Sequence, residues 1–187
     1  MQYSYIELDV LKDLSDKLEK ARIDYMLTGS FAMNYYAEPR MTRDIDIVIE
    51  LGPYNKQVLL NTFKDDYYIS EEALEEAVNY NSMFNIIHRE TVTKVDLIIK
   101  ERDEFSFQSF ERKQLLKIND HKIKIISKED LIIYKIRWSR ESESLIQRKD
   151  ILNLLDTGFD KGYMMLWLKK LKLFDFVKEF INERYFT

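Results

Sequence analysis

The segment LTGSFAMNYYAEPRMTRDIDIVIE, residues 27–50, joins a Gly-Ser pair to two aspartates that stand in an apolar run. The run DIDIVIE alternates acidic with β-branched residues, which predicts a strand. Residues two apart on a strand point to the same face, so Asp44 and Asp46 are expected to project together, with α-carbons roughly 6.5–7 Å apart. Two unpaired buried carboxylates are costly and raise each other's pKa, so a site that keeps both requires a cation.

The expected cation is Mg²⁺, because the chain has no Cys and therefore offers oxygen and His ligands only. A third carboxylate, Asp96, stands in a second apolar run, TKVDLIIK. If the strand of Asp96 neighbours the strand of Asp44 and Asp46, three carboxylates meet at one sheet edge. Such a group could hold two metal ions about 3.5–4 Å apart, the arrangement used for in-line displacement at phosphorus.

The Gly-Ser pair precedes the aspartates at a predicted strand-to-helix turn. Gly29 would let backbone N–H groups approach a phosphate closely, and the helix N-terminus favours an anion. The hydroxyl of Ser30 could add a further contact. Arg40 and Arg43, on the segment that enters the aspartate strand, could either neutralise triphosphate charge or pair with the aspartates.

Length and composition predict a packed cytoplasmic protein. The chain has 187 residues, of which 45% are hydrophobic, and only four Gly and two Pro. No apolar run approaches the roughly 20 residues that cross a bilayer, and the acidic, amphipathic N-terminal segment is unlike a signal peptide. The formal charge of −4 argues against a large non-specific nucleic-acid surface. The absence of Cys excludes disulfides, zinc ribbons and thiol nucleophiles.

The order of predicted elements indicates an α/β (α+β) fold, a small mixed sheet flanked by helices with a C-terminal helical bundle. Pro39 ends a short helix after Ser30, and KQLLKI and HKIKII form a hairpin around the turn ND. Ser127 is the expected N-cap of a later helix, with Asp130 in the capping-box position. We expect residues 1–126 to form the core and residues 127–187 a helical region packed on it.

The residues of this segment resemble the nucleotidyltransferase superfamily typified by DNA polymerase beta. The pattern of that superfamily is a hydrophobic residue, Gly, Gly or Ser, a spacer of roughly ten residues, then Asp-x-Asp or Asp-x-Glu. In this sequence Gly29-Ser30 is followed by a spacer of 13 residues and by Asp44-Ile45-Asp46. The stretch PRMTRDID also resembles the subgroup that includes AbiEii-type toxins of abortive-infection and toxin–antitoxin systems.

The resemblance implies roles for the acidic residues. Asp44 and Asp46 would bind both metal ions, Mg²⁺ or Mn²⁺. Asp96 would bind the catalytic metal and position or deprotonate the acceptor hydroxyl, while Gly29 and Ser30 would hold the triphosphate of an NTP.

The resemblance also implies basic nucleotide ligands. Lys135 resembles a helix lysine that contacts phosphates, and the other candidate nucleotide-binding residues are Arg40, Thr42 and Arg43. Within residues 148–150, Arg-Lys-Asp resembles the "KD" helix of the family, and we interpret Lys149 as solvated. Tyr35 or Tyr36 could stack on a base, but core packing would explain both equally well.

The predicted function is transfer of a nucleoside monophosphate from NTP to an acceptor hydroxyl, with release of pyrophosphate. The acceptor could be RNA such as tRNA, a protein or a small molecule, and an antitoxin is a candidate partner. Two alternatives stay open: a binding or regulatory protein that keeps the fold without the reaction, and an antibiotic-modifying nucleotidyltransferase. A glycosyltransferase Asp-x-Asp is disfavoured, because only 43 residues precede Asp44.

Overall fold

The computed structural model of the protein describes residues 5–142, 144–182 and 185. The structure does not describe residues 1–4, 143, 183–184 and 186–187. Residues 1–4 belong to the predicted core range 1–126, and the others belong to the predicted helical range 127–187. In the described part of the chain, no helix has the length and apolar composition needed to cross a membrane.

The centre of the fold, in the described part of the chain, is a mixed sheet of seven strands. They are β1 (Tyr25–Leu27), β2 (Ile45–Ile49), β3 (Tyr67–Ile69), β4 (Met83–His88), β5 (Lys94–Ile99), β6 (Gln114–Ile118) and β7 (His121–Ile125). Their order in the sheet is β3-β4-β5-β2-β1-β7-β6. Strand β2 runs parallel to β5, and β1 runs parallel to β7, whereas the other neighbours are antiparallel.

Helices flank the sheet. The helices of the described residues are α1 (Tyr5–Lys20), α2 (Gly29–Tyr36), α3 (Lys56–Phe63), α4 (Glu71–Tyr80), α5 (Glu104–Glu111), α6 (Lys128–Ser142), α7 (Leu145–Asp156), α8 (Lys161–Lys170) and α9 (Phe174–Lys178). Helix α2 lies against β2 and contacts α6 and α7, while α1, α3 and α4 form a second group that reaches β7 and β4. Helices α6 to α9 make up the C-terminal helical region.

The predicted fold class, a mixed sheet flanked by helices with a C-terminal helical region, is confirmed. The hairpin of β6 and β7 forms as expected, with Asn119 in the left-handed conformation that its turn requires. Ser127 and Asp130 form the predicted capping pair, since the Ser127 hydroxyl donates to Asp130 at 2.6 Å and accepts from its backbone amide. Strand β3 and helix α5 were not predicted, because both are short and lack a strong apolar period.

Alternation along β2 places Asp46 on the face opposite to the isoleucines of the strand. Ile45, Ile47 and Ile49 are fully buried in the hydrophobic core. Asp46 points to the other face, toward helix α2, where it lies against Gly29, and Val48 on the same face is again a core residue. Asp44 immediately precedes the strand and is exposed. The period of two that predicted the strand therefore separates the Asp46 carboxylate from the isoleucines.

Candidate active site

Two of the predicted carboxylates are direct neighbours across the sheet. Asp46 on β2 is the register partner of Asp96 on β5. Register partners on adjacent strands, which lie about 4.8 Å apart, point to the same face. The parallel pairing of β2 with β5 therefore brings together two carboxylates from distant parts of the sequence.

The carboxylates lie in the wall of a cavity of about 600 Å³. The cavity contains most of the predicted site residues, but Arg43, which is exposed, is not among its lining residues. The lining residues come from the start of α2, from the segment between α2 and β2, from β2, β4 and β5, and from α6 and α7: Gly29, Ser30, Arg40, Thr42, Asp44, Asp46, Met83, Asp96, Ile98, Lys135, Trp138 and Gln147.

Gly29 occupies a position that no other residue fits. Its φ of +63° is left-handed, and a Cβ atom at this position would lie 1.9 Å from Asp46 Oδ2. The next residue, Ser30, donates its backbone amide to Asp46. The structure gives Gly29 a cause of its own, the contact with the Asp46 side chain, while the role in close phosphate approach stays a prediction.

A buried carboxylate, Asp150 of α7, organises the basic side of the cavity. Asp150 is 2% exposed and accepts from Arg40 Nε at 3.0 Å and from Lys135 Nζ at 2.8 Å. Lys135 Nζ also donates to Gln147 at 3.0 Å, and an Arg40 guanidinium nitrogen donates to Ser30 Oγ at 2.6 Å. Of the two alternatives for Arg40, the ion pair with Asp44 or Asp46 is not the one formed, because the partner of Arg40 is Asp150.

Burial and hydrogen bonding bear on the predicted roles of Lys135, Lys149 and the two neighbouring tyrosines. Lys135 is almost fully buried, with a side-chain exposure of 1%, whereas Lys149 is exposed as expected. Tyr36 donates its hydroxyl to the Ile126 carbonyl at 2.7 Å. Neither Tyr35 nor Tyr36 is among the cavity-lining residues, so the alternative of core packing is favoured for Tyr36.

The apolar part of the cavity was not predicted from the sequence. Met83, Ile98 and Trp138 line it beside the carboxylates. Ile98 lies two residues after Asp96 on the same face of β5, and its register partner on β4 is Met83. Trp138 lies one helical turn after Lys135 on α6, so the spacing of three was an available signal for this aromatic wall.

The carboxylate of Asp46 carries the clearest electrostatic perturbation of the site. Burial, together with the negative charge of Asp96, raises its pKa to about 6, while Lys135 and the Ser30 amide partly oppose the shift. A carboxyl group whose pKa rises on folding binds more protons in the folded state than in the unfolded state. Asp46 therefore lowers the free energy of unfolding as the pH rises from about 4 to about 6.

Replacing Asp46 with Asn should therefore stabilise the metal-free protein at neutral pH. We expect the free energy of unfolding at pH 7 to increase by about 1–2 kcal/mol, with the gain shrinking toward zero near pH 4. Urea unfolding of Asp46→Asn and of the natural protein, in the presence of a chelator at several pH values, measures this difference in the free energy of unfolding. Asp65→Asn, at an exposed position, is the control, and a gain independent of pH would contradict the assignment.

The chemistry of these residues fits a hard cation. The three carboxylates supply oxygen donors only, and Asp96 Oδ1 is buried without a hydrogen-bond partner in the described structure. The other oxygen, Asp96 Oδ2, accepts from Lys94 Nζ at 2.9 Å. With the side chains as they lie in the structure, no group of three His, Cys, Asp or Glu residues among the described residues is placed to hold a metal ion. Asp96 would have to leave Lys94 to offer both oxygens.

Comparisons with known proteins identify the fold. No protein-family model and no curated protein matches the sequence. A nucleotidyltransferase-like antigenic protein from Paracoccidioides brasiliensis is 22% identical and aligns over 79% of this chain and 74% of its own, with a TM-score of 0.55. The lincosamide antibiotic adenylyltransferase LnuA, in a lincomycin-bound structure, is 19% identical over 82% of this chain and 98% of its own, with a TM-score of 0.52.

A third similar structure covers almost the whole chain. The antibiotic-resistance factor ANT(2'')-Ia aligns with 95% of this chain and 99% of its own at a TM-score of 0.62, with 8% identity. The chain therefore has the nucleotidyltransferase fold, as the Gly-Ser and Asp-x-Asp pattern predicted. None of these three structures tests the resemblance to AbiEii-type toxins, which stays a prediction.

Proposed function

We propose that the protein is a metal-dependent nucleotidyltransferase that moves a nucleoside monophosphate from an NTP to an acceptor hydroxyl. The observation that carries the proposal is the pairing of Asp46 with Asp96 in a cavity that also contains Ser30, Arg40 and Lys135. Carboxylates and phosphate-binding cations in one cavity of about 600 Å³ suit a triphosphate and an acceptor. The similar fold of an antibiotic adenylyltransferase supports the same reaction class.

The basic side of the cavity would bind the triphosphate. Ser30 lies at the N-terminus of α2, where the helix dipole favours an anion. Arg40 and Lys135 add two positive charges that Asp150 holds in place. Both cations line the cavity, so they would orient the triphosphate with its α-phosphorus toward the carboxylates.

The acidic side would receive the acceptor. Asp96 would accept the proton of the acceptor hydroxyl, whose oxygen forms a bond to the α-phosphorus while the bond to pyrophosphate breaks. When bound, Mg²⁺ or Mn²⁺ held by Asp44, Asp46 and Asp96 would supply the positive charge that offsets the developing negative charge. The side chains that line the cavity would orient the NTP and the acceptor, and pyrophosphate would leave toward Arg40 and Lys135.

The test is label transfer from each of four α-labelled NTPs in the presence of Mg²⁺, followed by separation of RNA, protein and small-molecule fractions. Asp96→Asn should reduce transfer by about a thousandfold, because it removes a proton acceptor and a metal ligand worth several kcal/mol. Asp65→Asn, an exposed change with the same loss of charge, should leave transfer unaltered.

The labelled fraction identifies the acceptor class. Label in tRNA would favour a toxin-type role with an antitoxin as partner, and label in a small molecule would favour an antibiotic-modifying enzyme. Equal background from the natural protein and Asp96→Asn in all fractions would contradict the proposal and favour the alternative of a non-catalytic binding protein.

A further inference from the structure

Lys94 is not among the cavity-lining residues, but it forms an ion pair with Asp96, which lines the acidic side of the cavity. Lys94 precedes Asp96 by two residues on β5, so both side chains point to the same face. Lys94 Nζ lies 2.9 Å from Asp96 Oδ2, and the lysine side chain is 41% exposed. Lys94 is therefore an ion-pair partner that can move into solvent without disturbing the core.

The ammonium of Lys94 interacts with the whole carboxylate cluster. The hydrogen bond to Asp96 is the largest cause that raises the pKa of Lys94, and the charges of Asp44 and Asp46 raise it further. The charge of Lys135 also acts on Asp46, but Lys135 makes its own ion pair with Asp150. Lys94 thus supplies a positive charge to the same carboxylates that would bind a divalent cation.

The two oxygens of Asp96 have different surroundings. Oδ2 is paired with Lys94, whereas Oδ1 is buried without a hydrogen-bond partner among the described residues. A divalent cation at this carboxylate must either displace the ammonium or accept a positive charge only a few ångströms away. Repulsion between a dication and an ammonium at such a distance is strong even at the effective dielectric constant of a protein surface.

We propose that Lys94 is the resident counter-ion of the carboxylate cluster and that it competes with a divalent cation for Asp96. This inference rests on the proposed function in taking Asp44, Asp46 and Asp96 as the metal ligands. In the protein without nucleotide, Lys94 keeps the affinity for the cation low. The negative charge of an incoming triphosphate shifts the competition, so cation and nucleotide bind together.

The competition is measured as Mn²⁺ binding, by the loss of the free-ion paramagnetic resonance signal, to the nucleotide-free protein. Lys94→Met should bind Mn²⁺ roughly tenfold more tightly than the natural protein, because the competing charge is gone. Lys94→Arg keeps the charge and should stay within about twofold. With a saturating non-hydrolysable NTP, the difference between Lys94→Met and the natural protein should fall to about threefold or less.

Lys124→Met is the matched control for the change in net charge. Lys124 is a partly exposed lysine of β7 whose partners, Glu19 and Asp24, lie outside the cavity. The Lys124→Met variant should bind Mn²⁺ with the affinity of the natural protein. If Lys124→Met tightened binding as much as Lys94→Met, the effect would be general electrostatics, and the proposal would be overturned.

Two further outcomes decide the role of Lys94. Unchanged or weaker Mn²⁺ binding by Lys94→Met, with its circular dichroism intact, would show that Lys94 only stabilises the Asp96 carboxylate. If Lys94→Met does not fold, Lys94→Gln removes the charge while keeping a hydrogen-bond donor, and it should show the same tightening. Mn²⁺ binding is measured without turnover. Tighter Mn²⁺ binding by Lys94→Met, together with no label transfer by the natural protein, would therefore support the role of Lys94 and count against the proposed function.

Discussion

Gly29→Ala should destabilise the protein by about 2–5 kcal/mol and abolish nucleotide binding. Two physical causes add. The left-handed φ of +63° costs an L-residue about 1–2 kcal/mol. The new Cβ would also lie 1.9 Å from Oδ2, 2.4 Å from Cγ and 2.7 Å from Cβ of Asp46, so either the turn or the carboxylate must move.

Two other glycines, Gly158 and Gly52, separate the cost of the positive φ from the cost of the contact with Asp46. Gly158 also has a positive φ, +79°, but a Cβ atom there would meet no atom within 4 Å, so Gly158→Ala should cost only about 1–2 kcal/mol. Gly52 has a φ of −109° and equally open surroundings, and Gly52→Ala should be close to neutral. Urea unfolding measures stability, and titration with a fluorescent NTP measures binding. Equal losses for Gly29→Ala and Gly158→Ala would contradict the contact with Asp46.

Asp150→Asn should cost about 3–5 kcal/mol of stability, because it leaves buried positive charge without its partner. Asp150 accepts from both Arg40 and Lys135, and Lys135 has a side-chain exposure of only 1%. Affinity for NTP should also fall, since both cations lose the carboxylate that holds them against the cavity.

Lys135→Met distinguishes the structural role of this ion-pair group from its role in binding. It removes one cation but leaves Asp150 paired with Arg40, so stability should fall less than in Asp150→Asn. Binding of NTP should weaken in both variants. Lys149→Gln, an exposed change next to Asp150, should alter neither property. Undiminished NTP affinity in Lys135→Met would contradict the phosphate-binding assignment.

Local pattern predicted those parts of the site that lie close together in sequence. The alternation in DIDIVIE placed Ile45 and Ile47 in the core and Asp46 on the opposite face. The Gly-Ser pair marked the start of α2 because a left-handed residue is required there. These features depend on backbone conformation and side-chain period, which the sequence encodes directly.

Contacts between distant segments could not be predicted in the same way. Arg40 and Asp150 are 110 residues apart, and no periodicity relates them. Asp44 and Asp46 were candidate partners of Arg40 because they are near it in sequence, and the packing of α7 against α2 provides Asp150 instead. Trp138 and Met83 likewise reach the cavity through the placement of α6 and β4.

The sequence by itself determined the fold class and the turn at Gly29, and it supplied Asp44, Asp46 and Asp96 as candidate site residues, because each follows from local spacing and residue type. Only the tertiary structure decided that Asp46 and Asp96 are register partners, that Asp150 pairs with both Arg40 and Lys135, and that Lys94 is paired with Asp96. The physical reason is that strand pairing and helix packing fix distances between segments that are independent in the unfolded chain.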